Sequence, residues 1–357
     1  MPSILDSRKD LQSFDKSGLL SSVEALPDQI EDALTQTMDF VTPADYRSAK
    51  NVVVSGMGGS ALGSHVIHAL YKDTLKVPFE VVSHYELPAY VNGDTLVLLS
   101  SYSGTTEETL AAGADALSRG AKIMVIASGG PLAELARAKN LPLYQIDAIH
   151  NPSRQPRLAI GYAIAGQMMM FAKAGLLPDL HADLKKVAAG LRAMILRLAP
   201  EATDNNTAKL LAFAAFEKHL ILCGAEHLEG AVHVFNNQVN ENAKALTSLW
   251  PLPEFNHHYM EAVSFPKSVH DSTIFFLFNS HLYTNRVQKR YPLTADLLES
   301  KGYETQMIQA TAPTKLEQVF EVIQLGEFVA AYLPVLYRIS DPGPVPSVEW
   351  FKAEMEK

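Results

Sequence analysis

Two stretches decide how this chain folds: NVVVSGMGGSALG at residues 51–63 and TLVLLSSYSGTTEETL at residues 95–110. Each starts as a short apolar run of strand type. Each then turns through glycine and hydroxyl residues and continues at helical period. Working outward, strands are expected at Asn51–Ser55, Phe79–Ser83, Thr95–Ser101, Ala121–Ser128 and Leu141–Ile146, with helical segments between them. Short apolar strands alternating with helices indicate a parallel sheet covered on both faces.

The alternation pauses and then restarts. Leu158–Gly175 is expected as a buried helix, stopped by Gly175 and Pro178, and a polar helix follows over His181–Leu198. Gln167, Lys173 and three glycines argue against a membrane span there. Strands are next expected at His219–Cys223, Thr273–Phe278 and Glu304–Gln309, then a long helix over Lys315–Ile339 and an amphipathic piece over Ser347–Glu356. The stretch from Asn240 to Pro266 reads as loop. The first ~45 residues read as polar helix interrupted at Leu26-Pro27. The fold class is therefore α/β, with two doubly wound parallel-sheet domains. The expected division is 1–45 (helical segment), 46–176, 177–340 and 341–357 (helical tail). The halves resemble a divergent repeat, VVVSGMGGSALG against LILCGAEHLEGA. The second turn has Ala225, Glu226 and His227 where the first has Gly and Ser, so one half is expected to keep an anion site that the other lacks.

Composition narrows the function. A length of 357 residues suggests about two domains, and 47% apolar with 19% charged residues is ordinary for a globular protein. Thirty basic against 39 acidic residues leave a net charge of −9, which disfavours a broad surface for nucleic acid or anionic lipid. The single cysteine, Cys223, cannot form an intrachain disulfide and lies in an apolar run, so it is expected in the core. No HExxH or Cys/His cluster suggests a metal. The N-terminal residues are polar and charged, without the apolar stretch of a signal peptide, so a cytoplasmic protein is expected.

Gly56–Ala61 fits one form of the dinucleotide fingerprint, which leaves a nicotinamide or flavin enzyme as a rival. That fingerprint also wants an acid at the end of the second strand; here the strand ends Val82-Ser83-His84, with Glu86 only later. The second turn favours phosphate instead. Ser101, Ser103 and Thr106 present hydroxyls beside Gly104, and Gly58, Gly59 and Ser60 lie on what should be a neighbouring strand end. Helix N-terminal N–H groups bind phosphate without a cationic side chain. The plainer alternative is an ordinary hydroxyl helix cap.

Together SGMGGSALG and SYSGTTEETL resemble the sugar isomerase (SIS) fold. SFDKSGLL, VEALPDQIEDAL, QPRLAIGY, NENAKAL, PEFNH and YLPVLYRISDPGPVPSVEWFK extend the likeness nearly end to end. With them the chain resembles the bifunctional phosphoglucose/phosphomannose isomerase family. The resemblance implies two SIS domains and an aldose–ketose isomerase. Its substrates would be glucose 6-phosphate, mannose 6-phosphate or both, interconverted with fructose 6-phosphate through an enediolate, with no cofactor or metal. It implies Glu241 as the proton shuttle, His257 as the ring-opening group, Arg157 steadying the enediolate, and Lys352 assisting ring opening or contacting sugar oxygens. It also implies a homodimer in which His257 reaches the site from the other subunit. A shuttle carboxylate works best with its pKa raised by partial burial. The chain departs from the family pattern at Thr105, at Asn236 and Asn237, at His258 and Tyr259, and at Gly343. Those departures keep open a non-catalytic or differently specific phosphosugar-binding SIS protein.

Overall fold

Three consecutive valines suit a strand buried on both faces, and Val52, Val53 and Val54 are each at most 1% exposed in a computed structural model that describes residues 3–355 and 357. The chain opens with α1 (Arg8–Phe14), α2 (Leu19–Glu24) and α3 (Leu26–Gln36), and Pro27 starts α3 where no N–H partner is needed. Then follow β1 (Asn51–Gly56), α4 (Gly59–Tyr71), β2 (Phe79–Val82), β3 (Thr95–Ser100), α5 (Glu107–Ser118), β4 (Lys122–Ala127), α6 (Gly130–Ala138) and β5 (Leu143–Gln145). Next come α7 (Ile160–Lys173), α8 (His181–Leu198), α9 (Thr207–Ala215), β6 (His219–Ala225), α10 (Glu229–Gln238), β7 (Thr247–Leu252), α11 (Tyr259–Ala262), β8 (Thr273–Ser280), α12 (Asn285–Ser300), β9 (Glu304–Ala310), α13 (Lys315–Leu336) and α14 (Pro346–Met355).

The fold is α/β with two parallel sheets, ordered β2-β1-β3-β4-β5 and β7-β6-β8-β9. The second repeats the strand order of the first without its last strand, as a divergent duplication would. Side chains alternate along each strand: Val52, Val54, Leu96 and Leu98 join the large core shared with the second sheet, and Val53, Val97 and Leu99 join a smaller core that includes residues of α5 and α6. Chain order reverses between β1 and β3, so the crevice beyond their carboxyl ends is where this sheet type binds ligands.

Helix α13 is apolar and long enough to cross a membrane, but 89% of its apolar window is buried within the protein. It is a core helix, packed on α2, α8, α9 and α10. Helices α4 and α10 tie the two sheets together. A Cβ at Gly230 on α10 would lie 2.5 Å from the Val66 Cα on α4, so only glycine permits this approach.

The stretch over 240–266 is not the expected loop. It holds a π-helical turn at Val239–Ala243, strand β7, a 3-10 turn at Glu254–Asn256 and α11. Strand β7 escapes the sequence reading because it is an edge strand: Pro251 interrupts it and only Leu252 is buried. Helix α14 has no buried residue. Glu356, its expected end, lies outside the described residues, as do Met1 and Pro2 of the expected N-terminal segment.

Candidate functional site

The turns after β1 and β3 interlock. Gly58 adopts φ +48° and passes the chain into α4 at Gly59. The Tyr102 N–H donates to Ser60 Oγ at 2.9 Å, and Ser100 Oγ donates to the Ser60 carbonyl at 2.7 Å. Ser101 is buried and builds the loop from beneath: its Oγ accepts from the Gly104 N–H at 3.1 Å and pairs with Thr106 Oγ1 at 2.7 Å. Ser103 and Thr105 are exposed, their hydroxyls 2.8 Å apart. No side chain caps the N-terminus of α4 or α5. The first-turn N–H groups of α5 therefore remain for an anion, whereas at α4 the Ser60 and Ala61 N–H groups already donate to the Met57 and Gly58 carbonyls at 3.0 Å.

Gly104 sits at φ +70°, and a Cβ there would lie 1.9 Å from the Gly129 carbonyl oxygen. Gly104→Ala cannot keep this loop. It is expected to weaken phosphate binding by about tenfold or more in calorimetric titration, since a helix N-terminal anion site is held by backbone geometry.

The cradle is joined to a buried arginine. A Cβ at Gly59 would meet the Arg157 backbone nitrogen at 2.9 Å. Arg157 stands on the 3-10 turn Pro156–Leu158 and is 1% exposed. Its guanidinium is fully engaged: Nε donates to Asn242 Oδ1 at 2.5 Å, and Nη1 to Gln155 Oε1 at 2.9 Å and Glu241 Oε2 at 3.2 Å. Nη2 donates to the carbonyls of Pro342 and Gly343 at 3.2 and 2.8 Å. A planar fork suits such divergent acceptors. Glu241 rides the π-helical turn that ends at left-handed Lys244, and its side chain keeps 31% exposure. Lys244 Nζ donates to the Glu241 and Pro342 carbonyls and, at 2.6 Å, to that of Pro344. Burial raises the Glu241 carboxyl above the usual glutamate range, against the opposing pull of Arg157 and Lys244. The pair can thus accept and return a proton beside a fixed cation.

Arg157, Glu241, Gly58, Gly59, Ser60 and the Ser101–Thr106 loop are brought together across the two sheets. His257 and Lys352 are not joined to them: both are exposed, and neither side chain makes a hydrogen bond or ion pair with the Arg157–Glu241 pair. Sequence reasoning missed Lys244, Asn242 and Gln155; the first two stand in the quoted NENAK motif, and only proximity in space reveals their roles. The departing residues have structural employment. Asn236 Oδ1 accepts from Thr247 Oγ1 at 2.8 Å, His258 pairs with Glu254 at 3.4 Å, and Tyr259 packs on Trp250 and Phe255. A Cβ at Gly343 would lie 2.3 Å from Ser17 Oγ, so a hydroxyl from the N-terminal segment fills that space.

The second half closes its own anion slot. Glu226, on the turn after β6, accepts from the Thr284 N–H at 3.1 Å and the Thr284 hydroxyl at 2.6 Å, at the start of α12. A resident carboxylate thus occupies the Thr284 donors at the start of α12. Cys223 is buried and unpaired. Among the described residues no group of three or more His, Cys, Asp or Glu could hold a metal ion.

The chain is similar to known proteins along most of its length. Residues 45–173 match the SIS domain family, and residues 204–355 match the bacterial phospho-glucose isomerase C-terminal SIS domain. The chain is 32% identical over 343 residues to a bifunctional phosphoglucose/phosphomannose isomerase of Caldicellulosiruptor bescii, covering 94% of this chain and 98% of that one. It is 29% identical to a protein of the same description from Aquifex aeolicus, over 88% of this chain and 92% of that one. Among solved structures, a hypothetical protein of Thermus thermophilus shares the fold with a TM-score of 0.73 at 20% identity, over 94% of this chain and 90% of that one.

Proposed function

The chain belongs to the bifunctional phosphoglucose/phosphomannose isomerase family, and from that premise we propose that it interconverts glucose 6-phosphate, mannose 6-phosphate or both with fructose 6-phosphate. The observation that carries the reading is the Arg157–Glu241 pair at 3.2 Å, set beside the uncapped N-termini of α4 and α5. The substrate phosphate lies on the Gly58–Ser60 and Ser101–Thr106 turns. His257 opens the sugar ring, assisted by Lys352. Glu241 then removes the C2 proton of the open aldose and returns it to C1, while the O2 hydroxyl proton passes to O1 so that the carbonyl moves from C1 to C2. The negative charge that develops on the C1–C2 oxygens is met by Arg157, preorganised by its hydrogen bonds. No electrons leave the sugar, so the reaction consumes no co-substrate.

The same proposal assigns residues 46–176 and 177–340 to two SIS domains, flanked by 1–45 and 341–357, in a cytoplasmic homodimer. His257 comes from the partner subunit. Its exposure, without a side-chain bond to the Arg157–Glu241 pair, supports that arrangement.

Coupled assays with each aldose phosphate test the activity. Turnover is expected, with the rising limb of kcat/KM against pH above the 4.5 of an unperturbed glutamate, because Glu241 must be ionised to act as base and burial raises its pKa. Tight hexose phosphate binding without turnover would instead support a non-catalytic binding protein. A requirement for NAD(P) would revive the oxidoreductase reading.

A further inference from the structure

Beneath the proposed catalytic pair lies a buried polar chain that the isomerase reading does not use. Gln238 closes α10 immediately before the π-helical turn that carries Glu241. It is fully buried, and its Nε2 donates to two acceptors: the Arg157 carbonyl at 3.0 Å and Glu327 Oε1 at 3.1 Å. Glu327, on α13, is 1% exposed. Its other oxygen accepts from Gln324 Nε2 at 3.4 Å, and Gln324 Nε2 also donates to the Val23 carbonyl at 3.1 Å. Among the described residues no cation pairs with Glu327. A carboxyl group with only amide partners in a core is costly, and an apolar residue there would pack more cheaply. Its geometry suggests what it is kept for. One amide joins the backbone of the turn bearing Arg157 to the end of α10, just before the turn bearing Glu241, and Glu327 anchors that amide to the core helix α13.

We propose that Glu327, acting through Gln238, is a positioning residue that holds the Arg157 turn and the Glu241 turn in register for proton transfer. The inference rests on the isomerase reading for its kinetic consequence only. Burial favours the neutral form of Glu327, which lets it anchor the amide without setting a second negative charge behind Glu241. If the anchor is lost, Arg157 can draw back from Glu241. Burial still raises the Glu241 carboxyl while the lowering influence of Arg157 weakens, so Glu241 titrates at higher pH. Lys244 is the other charged group close to it.

Gln238→Leu and Glu327→Met remove the chain at either end, and Glu327→Gln retains an acceptor for Gln238. For the two apolar variants the expected result is a fall in kcat of about tenfold or more, as misplaced catalytic groups produce. KM is expected to stay within about twofold because the phosphate cradle is untouched. Glu327→Gln should recover most of kcat. Carbon-13 NMR titration of glutamate carboxyls, with the Glu241 signal assigned by its absence in Glu241→Gln, should show Glu241 titrating higher in Gln238→Leu. Unchanged kcat and an unchanged Glu241 titration in folded variants would overturn the proposal, as would a loss of thermal stability alone. If the wild type does not turn over sugar phosphates, the isomerase reading fails, and the NMR titration still decides the positioning role.

Discussion

Glu241→Gln is expected to leave a folded protein that binds hexose 6-phosphate and has lost at least about a thousandfold in kcat, within the range contributed by a positioned general acid–base. The substitution is nearly isosteric. Arg157 keeps a carbonyl oxygen to donate to, and its bonds to Asn242, Gln155, Pro342 and Gly343 do not involve Glu241. Binding should change little, because the cradle groups belong to other elements. Exchange of the C2 proton with solvent should disappear together with net isomerisation. Retention of full rate would exclude Glu241 as the shuttle. The same variant tests the shared site: mixed with His257→Ala, itself expected to be nearly inactive on ring-closed sugar, it should regain activity as subunits exchange and form dimers with one intact site. No recovery on mixing would place His257 outside its neighbour's site.

Arg157→Ala should have the broader consequence. Arg157 is buried and serves Asn242, Gln155, Glu241 and two carbonyls of the 342–343 segment. Removing one partner of a buried pair costs about 3–5 kcal/mol, because the remaining groups are left without compensation. A lowered urea midpoint is expected, together with faster proteolysis of the tail beyond Pro342, whose remaining anchors include the Lys244 bond to the Pro344 carbonyl and the Gly343 N–H bond to Asp341. In whatever folds, kcat should fall by a factor of about a hundred or more, the scale of losing one preorganised electrostatic stabiliser of the developing oxyanion. The acid limb of the pH profile should move up, because burial of Glu241 persists after its nearest cation is gone. Arg157→Lys should keep the charge and lose the fork, with stability between the two and most of the kcat loss retained. Wild-type tail protection in Arg157→Ala would show that the carbonyl contacts do not hold the segment.

Much of this was readable in advance, for physical reasons that differ from element to element. The strands at Val52–Val54 and Leu96–Leu99 are buried on both faces, so composition alone marks them. The turns at Gly58–Ser60 and Ser101–Thr106 are legible because their conformations require glycine and favour hydroxyls. Strand β7 was not legible. It lies at a sheet edge with one buried residue, and its place comes from pairing with β6. The loss of Gly and Ser at Ala225–His227 was legible, but not that Glu226 bonds Thr284, which another strand end supplies.

What the sequence determined by itself is therefore what repeats along the chain or is forced by local backbone: the α/β alternation, its restart, the two phosphate-type turns and the motif that carries Glu241. The tertiary structure alone decided how those parts meet. The approach of α4 and α10 at Gly230 brings the cradle beside the π-helical turn, and Arg157, more than eighty residues from Glu241, becomes its partner. Lys244, Asn242 and the Gln238–Glu327 chain acquire meaning only there. The reason is one of range. Hydrophobic period and turn geometry act between near neighbours, whereas burial, pairing of charge and satisfaction of polar groups are settled by whatever the folded chain brings within a few ångströms.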